Sequence, residues 1–236
     1  MLLKACINGA REPGEHAALP LTPEDAARDA EACVAAGAGA VHLHPRGPDG
    51  GETLDPATVD AAVEAVRDAV GVPVGVSTGA WIEPELTSRV AAVHRWAEPD
   101  FALVNLSEGG ALEVMAALVD RGIEIEAGLA VAEEVERLVS GGMAEGLLRV
   151  LIEPGGEDAS EQLATARAIE SALDRHAVVA PRLAHGTGVA TWSVLEWAAS
   201  RGHDMRIGLE DTLVMADGSP AEGNAALVAA AAELLR

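Results

Sequence analysis

The feature that most constrains the fold is a repeated alternation of two kinds of segment. Short apolar runs rich in β-branched residues alternate with longer stretches of Ala, Leu, Glu and Arg that have helical spacing. This pattern predicts strands at residues 4–9, 40–44, 73–77, 101–106, 123–127, 147–152, 180–184 and 205–209. It predicts helices at residues 22–37, 56–70, 83–96, 111–121, 132–140, 160–173, 190–200 and 220–235.

Eight strand–helix units of about 30 residues match a minimal (β/α)8 TIM barrel, because this alternation implies parallel strands. An open doubly wound sheet is the competing architecture. It usually has fewer units, and it would be expected to carry a glycine fingerprint after the first strand, where this chain reads Gly9-Ala10-Arg11. No linker or shift in composition divides the chain. We therefore expect one α/β domain, a (β/α)8 barrel, over residues 1–236.

The charge of the chain argues against two classes of partner. Asp and Glu number 38 against 16 Lys and Arg, which gives a formal net charge of -22. Such a surface repels phosphate backbones and anionic membranes, so we expect no nucleic acid and no membrane partner. The two cysteines, Cys6 and Cys33, form no disulfide framework. With neither an apolar run of about 18 residues nor a signal-peptide core, the chain is expected to be cytoplasmic.

Polar residues concentrate where the predicted strands end, which is where barrels build their active sites. The sharpest pattern is His42-Leu43-His44. Residues i and i+2 of a strand share a face, so both imidazoles are expected to point into the barrel. Two imidazoles at this position suit zinc or another divalent metal. The alternative is a pair of hydrogen-bonded core histidines.

The third metal ligand is expected from the last strand. Alternation places Arg206, Gly208 and Glu210 on one face, with Gly208 leaving room above the arginine. Two His and one carboxylate form a catalytic zinc set with an open position. Glu126 on the fifth strand is the rival ligand. In the alternative interpretation, Glu210 and Asp211 cap the last helix, because acidic residues favour helix N-termini.

The segment Ser77-Thr78-Gly79 follows a buried strand and offers hydroxyl and backbone N–H groups to a carboxylate or an oxyanion. A simple turn explains the same residues equally well.

At these residues the sequence resembles the β-keto acid cleavage enzymes, also known as 3-keto-5-aminohexanoate cleavage proteins. Four segments carry the resemblance in matching order and spacing over essentially the whole chain. They are 5–11 with the later Thr22-Pro23-Glu24, 41–46 with Asp49-Gly50, 76–79, and 206–211.

The resemblance implies a (β/α)8 barrel with one divalent metal, usually zinc. It also implies a retro-Claisen-type reaction, in which a β-keto acid and acetyl-CoA, as co-substrate, give acetoacetate and a new acyl-CoA. The metal ligands would be His42, His44 and Glu210, and the catalytic residues Asp211, Arg206 and Glu126. Substrate contacts would come from Ser77, Thr78, Gly79, Asn105, Glu108, Asn8 and Arg11. Members tend to form dimers or tetramers, so a homo-oligomer is expected.

Three loops depart from the family pattern. Glu108 stands where the family tends to have a small or hydroxyl residue, Glu153 precedes Pro154, and His185 stands where better-known members have an arginine. Acidic residues in two of these loops would favour a cationic or amino-bearing keto acid. Two alternatives remain open: a zinc-dependent lyase, aldolase or hydrolase that does not use CoA, and a non-catalytic, metal-stabilised barrel that only binds a ligand.

Overall fold

The parallel strands of the chain pair in sequence order and close into a barrel, as the alternation predicts. The computed structural model describes residues 1–235. The strands are β1 Leu3–Cys6, β2 Ala40–Leu43, β3 Val74–Ser77, β4 Phe101–Asn105, β5 Glu124–Leu129, β6 Arg149–Ile152, β7 Arg182–Ala184 and β8 Asp204–Ile207. The helices are α1 Pro23–Ala35, α2 Pro56–Ala69, α3 Leu86–Val93, α4 Ala111–Arg121, α5 Glu133–Ser140, α6 Ala159–Arg175, α7 Thr191–Arg201 and α8 Asn224–Ala232. This is the predicted (β/α)8 TIM barrel.

Local sequence signals set several helix ends. The Thr22 side chain accepts a hydrogen bond from the Asp25 N–H, the Asp25 side chain accepts one from the Thr22 N–H, and Pro23 opens α1. This capping box satisfies two backbone donors that the first turn leaves free. Gly122 and Gly202 end α4 and α7 in the left-handed conformation, which glycine adopts without a steric penalty.

The barrel encloses both apolar and charged side chains. Leu103, Leu151 and Leu183 form an apolar cluster contributed by β4, β6 and β7. Lys4 lies towards the amino-terminal end, because it pairs with Ala40, two residues before His42. Outside the strands, one apolar cluster packs the helices against the barrel wall. The barrel interior therefore contains an apolar cluster and also buried charged side chains such as Lys4.

The last unit differs from its prediction. Helix α8 begins at Asn224 rather than at residue 220, and a bridge between Val214 and Pro220 forms part of the loop before it. Strand β8 ends at Ile207. A Cβ atom on Gly208 would overlap the backbone carbonyl of Cys6 on β1. The expectation that Gly208 leaves room above Arg206 is therefore wrong, because this glycine permits the close approach of β8 to β1.

No helix within residues 1–235 has both the length and the apolar character needed to cross a membrane.

Candidate active site

Two histidines and a carboxylate meet at the carboxyl end of the barrel. His42 lies on β2, and His44 follows the last residue of that strand. His42 Nε2 lies 3.9 Å from Glu210 Oε2, and His44 Nε2 lies 3.8 Å from Glu210 Oε1. One ligand atom from each residue lies within 4.8 Å of the other two. The structure thus brings together the three residues that the sequence analysis selected as metal ligands.

The unpaired atoms of this cluster fit a cation. Within the described part of the chain, both ring nitrogens of His42, Nε2 of His44 and Oε2 of Glu210 are buried without a hydrogen-bond partner. Buried polar atoms are rarely left unpaired, so this cluster needs a further partner. Burial, and then the charge of His44, hold the pKa of His42 well below its usual range. The imidazole is therefore neutral, which is the form that binds a metal.

Gly9 leaves space for the third ligand. Its φ of 55° lies in the left-handed region, and a Cβ atom there would overlap the side chain of Glu210. Glycine adopts this conformation at no steric cost and adds no side chain. The first strand–helix loop thus makes room for Glu210 beside the two histidines.

Glu126 lies apart from the ligand cluster. Its fully buried carboxylate forms an ion pair with Lys4, and its other oxygen lies 3.5 Å from Arg149 Nε. Lys4 also lies 5.6 Å from the centre of the Phe101 ring. The structure therefore places Glu126 in a charged layer deeper in the barrel, and not in the cluster of His42, His44 and Glu210.

Asp211 and Arg206 form a buried pair beside the ligands. Arg206 Nη2 donates to Asp211 Oδ1 at 2.8 Å and to Glu210 Oε1 at 2.6 Å, and Arg206 Nε donates to Asp211 Oδ1 at 3.1 Å. Burial alone would raise the pKa of Asp211, but Arg206 and His185 lower it below the ordinary aspartate value. Asp211 is therefore ionised at neutral pH.

The helix-cap interpretation of Glu210 and Asp211 is wrong. The N-cap of α8 is Gly223, and the long loop after Thr212 separates both acids from the helix. The Asp211 backbone carbonyl instead accepts hydrogen bonds from the Gly188 N–H at 2.8 Å and from Thr191 Oγ1 at 3.3 Å. These contacts fix the loop after β8 to the start of α7.

His185 lies between two carboxylates, and no catalytic or binding role was predicted for it. Its Nδ1 is 3.4 Å from Asp211 Oδ1, and its Nε2 is 3.4 Å from Glu153 Oε2. Burial and Arg206 lower the pKa of His185, but the two carboxylates outweigh them and raise it overall. The signal available in the sequence was its position. His185 directly follows β7, just as the other site residues follow the ends of other strands.

The end of β3 contributes one residue to the cavity at the barrel mouth. Ser77 lines the cavity, and its Oγ accepts a hydrogen bond from the Gly79 N–H at 3.2 Å. Thr78 Oγ1 donates to the Leu103 carbonyl at 2.7 Å and does not line the cavity. Of the three residues predicted here, the structure places Ser77 against the cavity, whereas Thr78 and Gly79 stabilise the loop.

Asn105 and Glu108 belong to the opposite wall. Asn105 lines the cavity, and its Nδ2 donates to Glu108 Oε1 at 3.2 Å. Glu108 also accepts a hydrogen bond from the Ala80 N–H at 2.9 Å and lies 3.3 Å from Arg89 Nη1. Its carboxylate therefore connects the loops after β3 and β4 behind the cavity.

Asn8 and Arg11 support the ligand segments. The Asn8 side chain donates to the His44 carbonyl at 3.0 Å and accepts from the His44 N–H at 2.8 Å. Arg11 Nε donates to the carbonyl of Leu209, the residue before Glu210, at 2.9 Å. Neither residue lines the cavity. The structure thus gives both residues backbone contacts rather than the predicted position against a substrate.

Glu52 is a second residue that the sequence analysis missed. It accepts hydrogen bonds from His44 Nδ1 and from Trp81 Nε1. Although burial raises the pKa of Glu52, these bonds lower it overall. No local motif marks this residue, because its partners come from the ends of two different strands.

Some of these residues line a cavity of about 250 Å³ at the mouth of the barrel. Its lining combines the ligand side, the Arg206–Asp211 pair and the opposite wall, and comprises Ala10, His44, Ser77, Trp81, Leu103, Asn105, Glu153, Thr187, Arg206, Glu210 and Asp211.

Solved structures share this fold. ObcA in its binary complex with oxaloacetate superposes with a TM-score of 0.74, at 16% identity over 91% of this chain and 63% of that chain. A ternary complex of ObcA with a C4-CoA adduct and oxalate gives a TM-score of 0.73 over the same shares. An N-acetylmannosamine-6-phosphate 2-epimerase from Clostridium perfringens gives 0.60 at 14% identity, over 89% of this chain and 87% of that chain. At these identities the likeness concerns the barrel alone.

Sequence comparison is more specific than the fold. A 3-keto-5-aminohexanoate cleavage enzyme from Fusobacterium nucleatum subsp. nucleatum is 41% identical over 69 residues, which cover 29% of this chain and a quarter (25%) of that protein. The family model described as beta-keto acid cleavage enzyme matches residues 1–236. The chain belongs to the β-keto acid cleavage enzyme family.

Proposed function

We propose that the protein is a zinc-dependent β-keto acid cleavage enzyme that condenses a β-keto acid with acetyl-CoA to give acetoacetate and a new acyl-CoA. The observation that carries the proposal is the cluster of His42, His44 and Glu210, with unpaired buried ligand atoms, beside the buried Arg206–Asp211 pair. Family membership supports the reaction type. The ObcA complexes contain a keto acid and a CoA adduct in a barrel of similar architecture.

His42, His44 and Glu210 would hold the cation. When bound, a divalent metal supplies a positive charge that stabilises negative charge developing on a carbonyl oxygen of the substrate. Two imidazoles and one carboxylate favour zinc and leave a coordination position open.

Asp211 would act as the base that removes a proton from the substrate. Arg206 and His185 hold its carboxylate in one orientation and keep it ionised. Arg206 Nη1 is buried without a hydrogen-bond partner among residues 1–235 and is available to a substrate oxygen. Ser77 also lines the cavity, and its Oγ would donate a hydrogen bond to the substrate carboxylate.

One observation favours a second candidate, a lyase, aldolase or hydrolase on the same barrel that does not use CoA. Glu153 lines the cavity and Glu108 lies behind its wall, and both carry negative charge in a chain of net charge -22. An anionic acyl-CoA gains no electrostatic steering from such a surface.

A mass-spectrometric assay separates the two candidates. Purified protein is incubated with zinc and a panel of β-keto acids, with and without acetyl-CoA. We expect acetoacetate and a new acyl-CoA in equal amounts when a β-keto acid and acetyl-CoA are both present. We expect neither product when acetyl-CoA is left out. Keto acid consumption without acetyl-CoA would favour the second candidate. Stoichiometric binding without turnover over the whole panel would favour a non-catalytic barrel.

The chain spans only part of the length of these relatives, so its assembly and location are also proposals. We propose a dimer or tetramer in the cytoplasm, and light scattering of the purified protein measures the oligomeric state.

A further inference from the structure

A short hairpin after β2 returns the chain to the metal-ligand cluster. The Gly47 N–H donates to the Gly51 carbonyl at 2.8 Å, and the Thr53 N–H donates to the Pro45 carbonyl at 3.0 Å. Arg46 and Glu52 form an antiparallel bridge between the two arms. Glu52 thereby lies beside His44, although eight residues separate them along the chain.

The Glu52 carboxylate receives two donors at once. It accepts a hydrogen bond from His44 Nδ1, which leaves His44 Nε2 on the side of Glu210. It also accepts from Trp81 Nε1, which lies 3.0 Å from Oε2 and 3.2 Å from Oε1. The side chain of Glu52 is 13% exposed, so these bonds are partly shielded from water. One carboxylate therefore connects a ligand on the β2 side with an indole on the β3 side.

Trp81 also contacts the ring of His44 and packs over Gly79. Its ring stacks on that of His44, with centroids 6.2 Å apart and planes at 26°. Trp81 lines the cavity but is 50% exposed, so burial alone does not hold it. An exposed side chain of this size loses conformational freedom when it is ordered, and the hydrogen bond to Glu52 offsets part of that loss.

We propose that Glu52 is a positioning residue that fixes His44 and Trp81 as one unit, so that the orientation of the metal ligand and the wall of the cavity depend on the same carboxylate. Its effect on metal affinity rests on the proposed metal-binding role of His44. Carboxylates that accept from the second nitrogen of a ligating imidazole fix its tautomer and orientation, and their loss typically weakens metal binding by about 10–100-fold.

Glu52→Gln is the informative substitution. A glutamine carries no negative charge, and its amide group replaces one of the two acceptor oxygens by an NH₂ donor, so its hydrogen bonds to the two donors are weaker than those of a carboxylate. The chain also contains a matched control. Glu170 accepts from His203 Nε2 at 2.8 Å, and the His203 ring packs edge-on against Trp197, at a centroid distance of 5.5 Å. Glu170→Gln therefore weakens the same type of bond between α6 and the segment after α7, outside the barrel mouth.

The first measurement is the zinc affinity of wild-type protein and both variants, by competition with a chelator of known affinity. We expect a loss of about 10–100-fold in Glu52→Gln and none in Glu170→Gln, at equal melting temperature of the metal-free proteins. Equal zinc affinity in both variants would overturn the proposal. If the wild-type protein binds no zinc, the proposed function is overturned together with this proposal. That result can be told apart from a failure at Glu52 alone, because it is seen in the wild-type protein.

The second measurement needs no metal. The difference in tryptophan emission between wild-type protein and Trp81→Phe isolates the signal of Trp81 from those of the other tryptophans. We expect Glu52→Gln to make this signal more accessible to acrylamide quenching, and to change nothing further in the Trp81→Phe background. Unchanged quenching in Glu52→Gln would show that Glu52 does not hold the indole, and would overturn the proposal. Glu52→Ala, which removes both acceptors, should increase both effects.

Discussion

At the scale of single residues, Asp211 is the group whose proposed role is easiest to isolate. It is 1% exposed and contacts Arg206 and His185, so its position does not depend on the metal ligands alone. Asparagine has nearly the same shape but cannot accept a proton as a base. The charge at this residue can thus be tested separately from its packing.

We predict that Asp211→Asn lowers turnover by about 10²–10⁴-fold while bound metal is retained, since this is the usual contribution of a positioned acid–base group. The measurement is kcat on the best β-keto acid, with metal content and melting temperature alongside. Asp217→Asn is the control, because Asp217 only caps an exposed turn through Ser219. Turnover close to that of the control would remove Asp211 from the mechanism.

Glu210 and Glu126 should respond to the same substitution in opposite ways. Glu210→Gln replaces a carboxylate ligand by a poorer donor, so we predict a strong loss of metal affinity. Glu126→Gln should keep the metal but lower the free energy of unfolding by about 3–5 kcal/mol, because Lys4 is left as a buried charge without its partner. Metal titration and urea unfolding of both variants measure these effects. A greater loss of metal affinity in Glu126→Gln would contradict the ligand assignment.

The sequence predicted the residues whose grouping follows from local spacing. His42 and His44 are two residues apart at the end of β2, and Glu210 follows β8, so their positions after strands of one barrel predict that they lie close together. His185 and Glu52 were missed because each acquires its role from partners on other strand–helix units. Such long-range contacts have no periodic signature in a single sequence.

At the scale of elements, the start of α8 connects the segments that follow β1 and β8. Asn224 Nδ2 donates to the Ile7 carbonyl at 2.7 Å, and its Oδ1 accepts from the Leu209 N–H at 2.6 Å. The same Nδ2 lies 2.7 Å from Asp29 Oδ2 on α1. The helix start thereby connects the segments that precede Gly9 and Glu210.

Asp29 makes the free energy of unfolding depend on pH at this connection. Burial raises its pKa to about 6, despite the opposing hydrogen bond from Asn224. A carboxyl whose pKa is higher in the folded state stabilises the fold at low pH. This contribution is lost as the pH rises from about 4 through about 6. We predict that Asp29→Asn, which removes the buried charge, raises the free energy of unfolding at pH 8 by on the order of 1 kcal/mol and has less effect at pH 4.

Urea unfolding at both pH values measures this effect, and Asp68→Asn on the exposed face of α2 is the control. A stabilisation that is independent of pH, or equal in the control, would contradict the assignment to Asp29.

Element boundaries were predicted less well than element order. The predicted helix 83–96 shortens to Leu86–Val93, because Pro84 precedes Glu85, which caps the helix through the Thr87 N–H. The last helix shortens because Pro220 forms a bridge with Val214 and Gly223 is the N-cap of the observed helix. Periodicity extends through such residues, whereas backbone hydrogen bonds do not.

At the scale of the whole molecule, the eightfold alternation was sufficient to predict the closed barrel. Each unit buries its own strand and helix face, so the pattern repeats locally and remains visible in a single sequence. Substrate identity lies in the loops, where Glu108, Glu153 and His185 make contacts that no repeat specifies. The net charge of -22 bears on the electrostatics of substrate entry but not on the fold.

The central claim is that His42, His44 and Glu210 hold one divalent metal, and elemental analysis of the purified protein tests it most directly. We predict about one metal ion per chain, with zinc as the principal element, and essentially none in a variant that combines His42→Ala with His44→Ala. Both proteins must show the circular dichroism spectrum of a folded barrel. A folded double variant that keeps its full metal content would contradict the account.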